Sequence, residues 1–156
     1  MAGKKTGHCA APRTKALLLP MPRQRASELV LRARLTLERL RRGEVDRPLV
    51  NQLAQICLIV GFIAADGYGS IARADVQMAE HELGGLLRGF EQTGQWPDRS
   101  SELVDSVTAI VNEYDHLLAT VRLEIIAQAS DHLERLKAIA SSSISSAPEK
   151  SGTLDR

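Results

Sequence analysis

Aromatic residues are scarce in this chain. Two Phe, two Tyr and one Trp make up 3% of 156 residues, whereas strands draw on aromatic and β-branched side chains to fill a pleated face. The apolar fraction, 44%, is ordinary and is carried mainly by Leu, Ala, Ile and Val, a supply that favours helices. Cysteine is scarcer still. Cys9 and Cys57 stand far apart in sequence, one in a polar stretch and one in an apolar run. That spacing excludes a CxxC redox pair and a zinc knuckle and predicts two reduced thiols.

Long apolar runs are missing too. The best window, Leu49 to Ala65, is interrupted by Asn51, Gln52 and Gln55, which leaves fewer than the roughly 20 continuous residues that span a bilayer. The charged start, Met1-Ala-Gly-Lys-Lys, is followed only by the short apolar stretch Ala16 to Leu19 before Pro20 and Pro22, so no secretory signal is expected. A soluble, cytoplasmic protein with no membrane partner is the expectation. GxSxG, P-loop and GxGxxG signatures are absent as well. The chain is therefore predicted not to be an enzyme, with no cofactor and no small-molecule substrate.

What the sequence does have is sorted charge. Residues 1–47 hold 12 Lys/Arg against 4 Asp/Glu, a net of +8, and residues 48–156 hold 8 against 15, a net of −7. A basic front on an acidic body points to a polyanion or to an acidic protein surface. Residues 1–26 combine Lys4, Lys5, Arg13, Lys15, Arg23 and Arg25 with three prolines and no helical period, and read as a flexible basic arm. Within it Leu17, Leu18, Leu19 and Met21 form a short extended segment that docks either on a partner or on the chain's own core.

Residues 27–140 read as one helical domain. Ser27 is the expected N-cap of a first helix ending at Arg42 and Gly43. Leu29, Val30, Ala33, Leu37 and Leu40 share its inward face. Leu31 and Leu35 lie roughly opposite, beside Arg32 and Arg39, while Arg34 and Arg41 sit at the apolar edge. Asp46 and Pro48 open a second helix, central and buried, which ends at Asp66-Gly. A third runs from about Ser70 to Thr93, where Gly84, Gly85 and Gly89 each cost about 1 kcal/mol relative to Ala and imply close approach of another helix. Trp96 is expected to cap one end of the core.

From Ser100, Val104, Val107, Val111, Tyr114, Leu118, Val121 and Ile125 keep an a/d rhythm, continued by Ala129, Leu133, Leu136 and Ala140 after a stutter. This predicts a helix of about 40 residues, long enough to need a partner, or else a break near Ala127 to Ser130. Residues 141–156 read as a disordered Ser-rich tail. The expected architecture is all-α, a bundle of about four helices with a long C-terminal helix.

Three patterns bear on chemistry. Glu113 and His116 form an E-x-x-H on a helix, but di-iron sites need two such motifs and two further Glu, so a solvated face is predicted and no metal. His81 and His132 read as exposed helix residues. A helix-turn-helix over Ile63 to Glu80 would carry Asp75, Glu80 and Glu82 on its recognition helix, which sets negative charge against phosphates.

The run from Pro12 to Pro22 (PRTKALLLPMP), the apolar helix ending in Asp66-Gly, and the run from Ile110 to His116 (IVNEYDH) together resemble a group of small proteobacterial helical proteins. Many of these are labelled Fis-family transcriptional regulator. The resemblance covers roughly residues 10–137. It implies a bacterial, cytoplasmic, regulatory protein and carries over no site residues.

Two functions fit these features. One is a dimeric accessory or transcription-related regulator, joined through residues 101–140, that contacts DNA or RNA phosphates through Lys4, Lys5, Arg13, Lys15, Arg23, Arg25, Arg32 and Arg39. The other is a helical protein–protein interaction module, a dimeric bundle or coiled coil formed through residues 101–140, with no nucleic-acid role.

Overall fold

Six helices follow one another in the computed structural model, which describes residues 13–145. They are α1 (Arg13–Leu17), α2 (Arg23–Arg41), α3 (Arg47–Ala65), α4 (Arg73–Thr93), α5 (Ser101–Thr120) and α6 (Leu123–Ser145). The architecture is all-α, and among the described residues the only β-type pairing is an isolated antiparallel bridge between Pro20 and Arg122. Lys4, Lys5, Cys9 and most of the predicted tail lie outside the described residues.

Helix ends follow local chemistry in three places. Asp46 accepts the Leu49 backbone N–H at 2.8 Å and so caps α3, with Pro48 in the first turn where its missing N–H costs nothing. Ser100 accepts the Leu103 N–H at 3.0 Å and caps α5. Gly94 takes the left-handed conformation that stops α4 (φ +71°), open to a residue without Cβ.

α2 begins earlier than Ser27. It starts at Arg23 behind Pro22, with Ala26 donating to the Pro22 carbonyl at 3.0 Å. The segment 13–26 is therefore two helices and a turn rather than an arm without helical structure. Met21 and Ala26 pack against the core, and that burial, not a side-chain cap, sets the start.

The predicted 40-residue helix is two helices. They part at Val121, whose backbone is extended (φ −86°, ψ 145°) while its side chain stays in the core. The break falls ahead of Ala127 because Arg122 pairs with Pro20 there and Leu123 donates to the Leu19 carbonyl at 2.8 Å. α6 in turn runs on into the Ser-rich stretch, where Ser141 and Ser142 donate to the Lys137 and Ala138 carbonyls one turn back.

α3 lies centrally, packed on α2, α4, α5 and α6. It is the one described helix long and apolar enough to cross a membrane by length and composition, and in this fold Leu53, Val60 and Ile63 are buried in the core. The close helix approach occurs at Gly61 of α3, where a Cβ would lie 3.1 Å from Val76 of α4. Of the three α4 glycines only Gly89 has a neighbouring element against it, and that is Pro97 of the following loop rather than a helix. Beside it Trp96 stacks on Phe90 with centroids 4.4 Å apart and packs, partly buried, against the core.

Candidate functional site

The a/d face of α5 is consumed inside the chain. Val107, Val111, Tyr114 and Leu118 are all buried among the other helices. A coiled coil through that face would require the bundle to open, and the exposed large apolar side chains along 101–140 are Leu136 and Ile139 of α6.

The solvent face of α2 is different. Leu31 and Leu35, one turn apart, are 60% and 58% exposed, and Leu19 just ahead of the helix is 62% exposed. Arginines flank the two α2 leucines in rows with a seven-residue repeat: Arg25, Arg32 and Arg39 on one side, Arg34 and Arg41 on the other. On the second side a groove of about 880 Å³ runs between α2 and α5. Leu19, Met21, Val30 and Leu31 give it apolar walls, with Arg23 and Ala119 on its lining. Its one carboxylate, Asp115, is held by Arg34 at 2.8 Å.

The predicted cations divide by what they touch. Arg39 is held at the surface by Glu44 at 2.9 Å and Asp46 at 2.7 Å, and these bonds, Glu44's first, raise its pKa. It leaves the set of uncommitted charges. Arg41 and Arg42 share Glu38. Lys15, Arg23, Arg25 and Arg32 are exposed and form no ion pair among the described residues. Arg13 lies in α1. Arg32 borders a smaller hollow of about 260 Å³ with Leu29, Gln52, Ile59 and Tyr114. Burial raises the Tyr114 pKa, partly offset by the Arg32 charge.

The Leu17–Met21 segment answers the docking question in two halves. Its backbone and Met21 are tied to the chain itself, through the Leu19 carbonyl and the core, while the Leu17, Leu18 and Leu19 side chains face solvent.

Glu113 is buried, not on the solvated face that its spacing from His116 predicts. It is 8% exposed and accepts from the Ser70 backbone N–H at 2.6 Å and the Ser70 hydroxyl at 3.1 Å, so it latches the α3–α4 connection to α5. Adjacency to inward Tyr114 was the available signal. His116 and His81 are exposed, and His132 stacks on Phe62 at 4.3 Å. Among the described residues no group of three or more His, Cys, Asp or Glu is placed to hold a metal ion. The connection 66–72 between α3 and α4 is longer than the three- or four-residue turn of a helix-turn-helix.

No family model, curated protein or solved structure matches the chain.

Proposed function

We propose that this chain is a non-enzymatic helical accessory or regulatory protein that works by docking a macromolecular partner on the face built by the 17–22 segment and α2. One observation carries the reading: exposed Leu19, Leu31 and Leu35 share that face with Arg23, Arg25 and Arg32, which form no ion pair among the described residues. Apolar side chains bordered by arginines, the ones on one side uncommitted, have the composition of an interface, an apolar centre with a charged rim. The resemblance to proteins labelled transcriptional regulators supports a regulatory role.

The test is site-specific photo-crosslinking in the native cell. A crosslinker in place of Leu31 or Leu35 should give adducts that one at His81 or Glu91 does not. Equal or absent adduct formation at all four positions would remove the proposal.

A second reading has Lys15, Arg23, Arg25 and Arg32 contacting nucleic-acid phosphates. Each neutralised phosphate adds about −0.9 to the salt slope on duplex DNA. Gel shifts at two ionic strengths should then show binding that collapses with salt and with reversal of these four charges. Salt-insensitive binding, or none at low salt, rejects it.

A further inference from the structure

Resting on the docking face just proposed, we infer that the α2–α5 groove receives an acidic amphipathic helix from a different protein. Shape and charge on this face both point to that occupant.

The groove is a cleft between two helices, walled by Leu19, Met21, Val30 and Leu31, and Leu35 extends its apolar lip by one further turn of α2. An amphipathic helix laid along such a cleft presents anchors at i, i+3, i+4 and i+7. No sheet edge exists among the described residues to take an extended strand instead.

Charge then selects among helices. α2 carries six Arg and two Glu, a net of +4. Arg34, Arg39 and Arg41 are committed to the chain's own side chains. Of the remaining cations Arg23 lines the groove and Arg25 and Arg32 border Leu31 and Leu35 on the other side, with no ion pair among the described residues, and Glu28, which accepts from Gln24, is the one carboxylate of α2 that no arginine holds. Three cations against one anion leave a surplus of +2. The first turn of α2 contains no acidic residue and has no side-chain cap, so the positive end of its dipole adds to Arg23 and Arg25 instead of opposing them.

Those charges argue against a second copy of this chain. A two-fold contact would set the uncommitted Arg23, Arg25 and Arg32 against their own images. The exposed leucines, rather than the charges, argue against nucleic acid, because Leu19, Leu31 and Leu35 would be pressed against phosphates with no apolar surface to cover them. A helix with leucines on one side and carboxylates at its borders meets both demands.

The probe is a synthetic peptide of about 14 residues, near four turns, with Leu at i, i+3, i+4 and i+7 repeats and Glu at the bordering positions. Two controls accompany it, one with Gln for every Glu and one with the same residues scrambled. Titrated against the full chain and followed by fluorescence anisotropy and amide shifts, the acidic peptide should bind one to one with a Kd of about 10–100 µM. Shifts should centre on Met21, Leu31 and Ala119. Leu31→Glu, at an exposed site, should weaken binding about tenfold or more, as should the double reversal Arg23→Glu with Arg25→Glu at low salt. Arg135→Glu on α6 should change nothing. The inference is overturned if the acidic peptide does not bind, or if the Gln or scrambled peptide binds equally well. It is also overturned if a short DNA duplex occupies the same residues more tightly, or if sedimentation shows a dimer that Leu31→Glu dissociates. Crosslinks at Leu31 and Leu35 in the cell without peptide binding would leave the docking face standing and reject this occupant alone.

Discussion

The backbone N–H of Leu123 points at the carbonyl of Leu19, 2.8 Å away, across more than a hundred residues of chain. It is one of the donors that an α-helix leaves unsatisfied in its first turn, so the segment before α2 serves as the cap of α6. Deleting residues 1–19 removes that acceptor and the Pro20–Arg122 register with it. The expected result is faster amide exchange confined to the first turn of α6, residues 123–126, and a loss of about 1 kcal/mol in global stability. Unchanged protection at Leu123 in the truncated chain would show that the cap is not needed.

Much of this fold is visible in the sequence, and what is not visible is of one kind. The outward placement of Leu31 and Leu35, the Asp46 cap and the Gly94 stop all follow from periods and residue types within a few positions. The α5–α6 break does not, because Val121 and Ile125 both keep the inward rhythm on either side of it, and a hydrophobic period cannot register a break that preserves it. The pairings of Leu19 with Leu123, Glu113 with Ser70 and Arg34 with Asp115 join residues at least 43 positions apart. Only the packed bundle sets those registers. The same holds for Arg39, a free cation by helix position that Glu44 and Asp46 reach only after the chain turns at Gly43.

Glu113 offers a sharper test of such long-range bonds. Its carboxylate is buried and satisfied by two groups of Ser70, so truncation strips both donors at once. Glu113→Ala should cost about 2–3 kcal/mol in urea unfolding and Glu113→Gln less, since an amide oxygen still accepts. A double-mutant cycle with Ser70→Ala isolates the hydroxyl bond and should return a coupling of about 1 kcal/mol. Gly69→Ala should also destabilise, because a Cβ there would meet the Glu113 carboxylate at a backbone φ of +86°. Additivity within error would mean that Glu113 and Ser70 act independently.

The α4 glycines should separate in sign. At Gly85 a Cβ meets nothing within 4 Å and φ is not positive, so Gly85→Ala gains helix propensity and should stabilise by about 0.5–1 kcal/mol. At Gly89 a Cβ would run into Pro97, which presses the Gln95–Trp96–Pro97 loop onto the helix. Gly89→Ala should lower the melting temperature and loosen the Phe90–Trp96 stack, visible as a red shift in tryptophan emission. Opposite shifts in Tm for the two variants are the expected result, and a gain in both would mean that the loop yields freely.

Acid should erase the contribution of Asp46. The Leu49 N–H first and the Arg39 guanidinium second hold its carboxyl below the ordinary 3.8, so the folded chain favours the charged form. That stabilisation is fully present above about pH 5 and is lost as pH falls through 3.8 and then through the lowered folded value. Asp46→Ala should cost about 1 kcal/mol at neutral pH, the usual worth of an N-cap. The gap between wild type and variant should close as pH drops from 5 toward 2. A gap that persists at pH 2 would assign the cost to packing rather than to the charged cap.

Base should act on Cys57 in the opposite direction. Burial, helped by the Glu80 carboxylate, pushes its thiol from 9.0 up to about 12, and its sulfur lies 3.6 Å from the Val76 carbonyl. Between those values the unfolded chain has released the proton and the folded chain has kept it, so stability is intact below about pH 9 and declines as pH rises toward 12. The decline is bounded by one proton, about 1.4 kcal/mol per pH unit. Cys57→Ala should be less stable at pH 7, through the small cavity it leaves, yet should lose less on going to pH 10.5, so the two stability curves converge. Cys9 is present in both chains and cancels from the comparison. Parallel curves across that range would show that the folded protein does not retain the thiol proton.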